Sequence, residues 1–235
     1  MTTVGLLLVG HVDPRSVHVG GDYPELYGAL LARHGVELRT YACDEGRFPA
    51  SLAECDGWLC SPSRLSVYDD VPWLADVEDV LRGLVAEERP FVGICFGHQL
   101  LAQALGGEVR AAEIGWTVGV QRYDLLDQPW WVGADAPPAI ELLASHQDQV
   151  VRLPDDARLW ATSAACPNGG MVVGERAWTL QVHPEFTPAL ADSLLGIRLE
   201  LLGAELVARA RATLDRPLHR DLVAVWMARF FGADP

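Results

Sequence analysis

Two stretches far apart in the chain hold the residue types that nucleophilic amide chemistry requires. The first is Gly93-Ile94-Cys95-Phe96-Gly97-His98-Gln99, with a thiol between two glycines. A G-x-C-x-G spacing is the cysteine form of the nucleophile elbow, where a strand turns sharply into a helix. Its glycines leave room for a strained nucleophile and for close strand–helix packing. A thiol at that apex meets the positive end of the following helix, which favours the nucleophilic thiolate. A free cysteine otherwise behaves as a small buried hydrophobe, and the flanking glycines set Cys95 apart from that reading. The second stretch is His183-Pro184-Glu185. A nucleophile needs a base, and the base needs an orienting group. His183 and Glu185 lie two residues apart, so at the end of a strand both can point from the same side. Glu185 would then hold one imidazole nitrogen while the other faces the thiol. Alone, His-Pro-Glu reads as a surface turn; joined to an upstream elbow cysteine, it completes a Cys95, His183, Glu185 triad.

The elements that must carry these residues follow from hydrophobic patterning. Phe91 to Ile94 is a short apolar run after Pro90, suited to a buried strand, and Gln99 to Leu105 repeats at helical spacing before Gly106-Gly107. Ahead of the elbow, Val4 to Val9 reads as a first buried strand, Tyr23 to His34 as a helix ended by Gly35, and Val36 to Tyr41 as a second strand. This is a β-α-β opening. Asp56 to Cys60 reads as a third strand, and Asp70-Val71-Pro72-Trp73 introduces a helix running to Ala86 with Pro72 in its first turn. Beyond Gly107, Trp116 to Tyr123 and Ala157 to Ala161 are short β-like runs between turn-rich segments, and the stretch holding Trp130-Trp131 and Pro137-Pro138 takes no assignable shape. Ala189 to Leu202, Glu205 to Leu214 and Leu222 to Phe231 read as helices that cover the sheet.

The elbow together with the distant His183-Pro184-Glu185 resembles the class I (triad) glutamine amidotransferase family, and most of all its branch similar to the glutaminase domain of GMP synthase. Gly21-Asp22-Tyr23-Pro24, Ser66-Val67-Tyr68-Asp69-Asp70, Ser145-His146-Gln147-Asp148-Gln149-Val150 and Leu214-Asp215-Arg216-Pro217 corroborate it along most of the chain. The resemblance implies a flavodoxin-like, three-layer α/β fold, with a mostly parallel central sheet flanked by helices and a short antiparallel β extension, as a single domain over residues 1–235. It implies hydrolysis of the side-chain amide of L-glutamine, with release of ammonia. By resemblance, the loop after the third strand offers a backbone N–H to the oxyanion and is usually glycine-rich. The comparable residues here are Cys60 and Ser61, a departure that removes the easy peptide flip glycine permits. The second oxyanion donor is the N–H of Phe96. Gln99 is implied as a substrate-positioning residue, although a helical Gln is more often structural or exposed. His146 and Gln147 are implied as pocket-lining residues, with a solvated turn as the alternative.

Composition narrows the field. Among 235 residues, 32 acidic against 18 basic side chains give a formal charge of −14, which argues against a nucleic-acid groove or an anionic membrane surface as partner. The N-terminus has no basic n-region and no apolar run reaches bilayer length, so a cytoplasmic protein without membrane association is expected. Five cysteines without paired spacing fit reduced thiols, with Cys43, Cys55, Cys60 and Cys166 structural. No C-x-x-C or H-E-x-x-H array points to a metal, and neither a metal nor a cofactor is expected. There is no P-loop and no dinucleotide fingerprint, so released ammonia would pass to a partner synthase subunit.

Three readings survive. The first is a glutaminase or amidotransferase subunit using Cys95 as nucleophile and His183 as the group that protonates departing ammonia. The second is a γ-glutamyl peptidase with the same triad, acting on a larger γ-glutamyl compound. The third is a catalytically silent binding module, because a fold does not guarantee a function. A serine α/β-hydrolase is set aside on chain order, since there the acid precedes the histidine.

Overall fold

A computed structural model describes residues 1–233. The β-α-β opening is strand β1 (Thr2–Leu8), helix α1 (Tyr23–Leu31) and strand β2 (Val36–Ala42). Helix α1 begins on a capping box, in which the Asp22 carboxylate accepts from the first turn and the Glu25 side chain reaches back to the Asp22 N–H. A 3₁₀ turn over Ala32–His34 ends it, and Gly35 (φ 74°) supplies the left-handed residue that stops the chain.

Strand β3 (Gly57–Cys60), helix α2 (Leu74–Ala86), strand β4 (Phe91–Ile94) and helix α3 (Phe96–Ala104) follow. Helix α2 starts two residues after Pro72, so the proline precedes the first turn. Helix α3 starts at Phe96 rather than Gln99: the turn out of β4 is completed by Cys95 alone, and Gly97 is already helical.

The chain continues as β5 (Glu108–Ala111), β6 (Thr117–Leu125), β7 (Ala139–His146), β8 (Asp148–Arg152), β9 (Ala157–Thr162), β10 (Gly170–Val173) and β11 (Ala177–Leu180). It closes with α4 (Pro188–Ile197), α5 (Leu199–Leu202), α6 (Ala204–Arg211) and α7 (Arg220–Phe230).

The main sheet has the order β2-β1-β3-β4-β11-β10-β9-β6-β7. The five strands from β2 to β11 pair in parallel, and the rest extend the sheet antiparallel. A separate antiparallel ribbon pairs β5 with β8. This is the expected three-layer α/β class. One face carries a core built on α1, α7 and a tryptophan cluster, and the other a core built on α2 and α3. Both faces of the inner parallel strands β1, β3, β4 and β11 are therefore covered, which explains their apolar runs, while the edge strand β2 carries exposed Glu37, Arg39 and Thr40. No helix among the described residues is long and apolar enough to cross a membrane. The carboxyl ends of β3, β4 and β11 open on one crevice, where sheets of this class place ligands.

Candidate active site

Cys95 closes β4 and caps α3 with φ 52° and ψ −99°, a conformation that L-residues rarely adopt. Its neighbours explain why the strain persists. The Cys95 N–H donates to the Leu180 carbonyl at the end of β11 (2.8 Å), and its own carbonyl accepts from Gln99 N–H (3.1 Å). A Cβ at Gly97 would lie 2.8 Å from the Cys60 carbonyl oxygen, and one at Gly93 would lie 2.6 Å from the Gly97 carbonyl oxygen. The elbow thus depends on both glycines for close approach.

His183 follows the end of β11 by three residues. A single bridge holds it, with its N–H donating to the Leu143 carbonyl of β7 (2.8 Å). Its Nδ1 meets Glu185 Oε1 at 2.7 Å, and its ring stacks on Phe186 with centroids 4.0 Å apart. Arg220 of α7 fixes the turn from behind, donating to the Pro184 carbonyl (2.9 Å) and the Glu185 carbonyl (3.2 Å). Nε2 of His183 is buried without a hydrogen-bond partner and lines the same small cavity as Cys95. Burial opposes a charged imidazole, yet the Glu185 carboxylate and the Cys95 sulfur push the His183 pKa up to about 10. The geometry joins a partner-free imidazole nitrogen, a buried carboxylate and a strained thiol.

A second set of contacts holds the sulfur from the other side. Gln181 Nε2 approaches Cys95 Sγ at 3.5 Å, while Gln181 Oε1 accepts from Gln99 Nε2 at 3.1 Å. Gln99 also donates to the Asp148 carbonyl at 2.7 Å. With Nε2 of Gln99 spent on these two oxygens, its role in this arrangement is to orient Gln181. Gln181 itself escaped the sequence reading, although it lies two residues before His183, a spacing that shares a face along a strand.

The expectation for Cys60 and Ser61 is overturned. Ser61 N–H donates to the Leu7 carbonyl (3.1 Å), its hydroxyl accepts from Val9 N–H (3.0 Å), and Cys60 sits inside β3 between Leu7 and Gly93. Both residues are spent on the sheet. Two residues on, Ser63 and Arg64 line the cavity beside Cys95, and their N–H groups donate to no protein acceptor among the described residues. At the head of α3, Phe96 N–H is one of the amides that a helix leaves unpaired.

His146 is buried, so the solvated-turn alternative fails. Its Nδ1 donates to the Asp148 carbonyl (3.2 Å), leaving Nε2 as a partner-free acceptor. Burial, aided by the positive charge of His183, brings its pKa down to about 3. Gln147 is half-buried and lines the cleft. The Asp148 carboxylate accepts from Ser66 (2.5 Å) and Tyr68 (2.9 Å), which ties the two corroborating motifs together.

The cleft above the thiol has a volume of about 470 Å³. Arg198, just after α4, reaches into it: Nη1 donates to Ser145 Oγ (2.5 Å) and the guanidinium lies 5.5 Å over the Trp116 ring. Nothing in the sequence marked it. No group of three His, Cys, Asp or Glu side chains among the described residues is placed to hold a metal ion.

Comparison with known proteins places this geometry in context. The family model for class I glutamine amidotransferases matches residues 26–196. A curated relative, γ-glutamyl peptidase 3 of Arabidopsis thaliana, is 24% identical over 83% of this chain and 82% of its own length. A GMP synthase [glutamine-hydrolyzing] of Thermotoga maritima is 34% identical over 70% of this chain but only 31% of its own length. Among solved structures, a glutamine amidotransferase from Thermotoga maritima superposes with a TM-score of 0.80 at 18% identity, covering 99% of this chain and 100% of its own.

Proposed function

This chain belongs to the class I glutamine amidotransferase family, and on that premise we propose that it hydrolyses the γ-amide bond of L-glutamine through a Cys95, His183, Glu185 triad. The observation that carries the reading is the His183–Glu185 bond of 2.7 Å with the opposite imidazole nitrogen unpartnered beside Cys95.

Held by Glu185 with its pKa raised to about 10, the protonated His183 faces the Cys95 sulfur, which reacts as the thiolate. The thiolate adds to the γ-carbonyl carbon. The resulting oxyanion is met by Phe96 N–H and by an N–H of the Ser63-Arg64 turn. His183 gives its proton to the departing nitrogen, the C–N bond breaks, and ammonia leaves a γ-glutamyl thioester. His183, now neutral, takes a proton from water as that water attacks the thioester. Breaking the C–S bond then restores the thiolate and releases glutamate. The ammonia passes to a partner synthase.

A second reading has support of its own. A cleft of about 470 Å³ is roomier than a glutamine side chain needs, and the γ-glutamyl peptidase relative matches over 83% of this chain and 82% of its own length. On that reading the same triad releases an amino acid or peptide instead of ammonia.

Ammonia release from L-glutamine, run beside Cys95→Ala and beside a γ-glutamyl dipeptide, tests both. Cys95-dependent ammonia release is the expected result. Cleavage of the dipeptide with silence on glutamine would replace the glutaminase with the peptidase. Silence on both, persisting when candidate synthases are added, would leave a binding module.

A further inference from the structure

Two hollows meet at Cys95, and they differ in size and lining. The wide cleft of about 470 Å³ has Gln99, His146, Gln147 and Asp148 on its walls. The other is a small cavity of about 20 Å³ behind the thiol, and His183 lines this one and not the cleft. Val12, Tyr23, Phe186 and Leu194, all buried, close it. A space of that size holds one water-sized molecule. Leu194 and Phe186 also line a further cavity of about 10 Å³, whose other walls include Val118, Ala191 and Leu195. Leu194 of α4 thus stands between two small apolar spaces.

Proton transfer decides what occupies each hollow. The carbon under attack carries the sulfur, the oxyanion, the departing nitrogen and the rest of the substrate. His183 Nε2 protonates the nitrogen, so the nitrogen lies within hydrogen-bond reach of Nε2, inside the small cavity. The oxyanion faces the head of α3, which leaves the cleft to the glutamyl chain. Once the C–N bond has broken, the water that attacks the thioester gives its proton to the same Nε2 and enters the space the amine has left. One water-sized room serves both steps. Its walls are held in place: Phe186 stacks on the His183 ring at 4.0 Å, Tyr23 opens α1 within the capping box, and Thr187 caps the start of α4. Extra carbons in such a space force side chains off their rotamers.

We propose that the small cavity is the leaving-group pocket and that Leu194 is a specificity-determining residue, closing the pocket to amines larger than ammonia. The inference rests on the γ-glutamyl hydrolase reading and separates its two forms. A substituent on the departing nitrogen has to share the cavity or turn back into the cleft that the glutamyl chain fills, so a γ-glutamyl peptide is a poor substrate.

The test uses L-glutamine, γ-glutamylmethylamide and γ-glutamylethylamide, which share the glutamyl half and release ammonia, methylamine and ethylamine. Glutamate formation by the full chain should show kcat/KM falling about tenfold or more for each added carbon. Leu194→Ala joins the pocket to the neighbouring cavity and should bring the ethylamide back to within about tenfold of glutamine. Leu194→Val, which keeps most of the packing, should move the ratio the same way by less. A merely structural Leu194 would lower all three substrates together and leave their ratios unmoved, and that result would overturn the proposal. A wild-type chain that hydrolyses the ethylamide as readily as glutamine would overturn it with no variant at all. Hydrolysis of none of the three would sink the hydrolase reading, and calorimetry on the same chain would then decide the pocket: affinity falling with each carbon keeps it, and equal affinity or no binding overturns it.

Discussion

His183 and Cys95 carry consequences that can be read one side chain at a time. The His183 pKa is raised to about 10 in the folded chain against an ordinary value of 6.5. Its contribution to stability is therefore fully present below pH 6.5 and is lost as pH rises through about 10. Urea unfolding across that window should show wild-type stability falling more steeply than in Glu185→Gln, which lacks the carboxylate; equal slopes would mean that Glu185 does not hold the charge. The thiols give a second test. Burial pushes Cys43 and Cys166 up to about 12 and raises Cys60 well above its ordinary value, so none of the three competes as a thiolate at neutral pH. Iodoacetamide at pH 7 should modify Cys95 first, by peptide mass mapping, and more slowly in Glu185→Gln. Modification spread over several cysteines would remove the imidazolium–thiolate pair from the mechanism. The types and spacing of Cys95, His183 and Glu185 were legible because glycines and a proline mark them in the chain. Arg198 and Ser63 were not, because what singles them out is a reach into the cleft and an unpaired N–H, and both are properties of assembled neighbours.

At the level of elements, the elbow is where strand, turn and helix meet one constraint. Residue 95 sits at φ 52°, a cost of about 1–3 kcal/mol for a residue with a Cβ. Cys95→Gly should therefore be more stable than Cys95→Ala by about 1 kcal/mol, reversing the usual order of these residues. Guanidinium unfolding of the pair decides it, and an Ala variant at least as stable would show that the turn relaxes without the thiol. Gly97→Ala should lower both stability and turnover, because its new Cβ meets the β3 backbone at Cys60. The four inner parallel strands were readable as apolar runs since both faces are covered. Of the antiparallel strands, β6 and β9 were readable as β-like runs, whereas β7, β8 and β10 were not: β7 follows Pro137-Pro138, β10 opens on Gly169-Gly170, and β8 pairs with β5 outside the main sheet. Their identity comes from the partners they pair with, β6 for β7, β9 and β11 for β10 and β5 for β8, where local propensity is a weak guide. His183 shows the same limit, since the strand before it stops at Leu180 and a bridge to Leu143 does the positioning.

Across the whole molecule, the sheet separates two cores, and the one beneath β11 is organised by aromatic rings. Trp131, from a loop whose shape the sequence did not disclose, stacks on Trp178 of β11 with centroids 6.0 Å apart and meets Phe230 of α7 edge-on at 5.0 Å. Trp160 of β9 meets Trp178 edge-on at 5.5 Å. One fully buried side chain thus joins a loop, the last helix and the strand whose final carbonyl accepts the Cys95 N–H. Trp131→Ala should cost about 3–5 kcal/mol, the range for emptying a large aromatic from a core. The site itself is held by shorter-range contacts: the Leu180–Cys95 bond, the two elbow glycines and the Glu185–His183 pair. Destabilisation and inactivation should therefore separate. Below its lowered midpoint, the Trp131→Ala chain should alkylate at Cys95 at a rate close to wild type, while urea unfolding reports the loss. A variant that keeps its stability but loses Cys95 reactivity would reverse this assignment, and would mean that the aromatic cluster sets the position of β11, and with it the thiol, rather than simply filling the core.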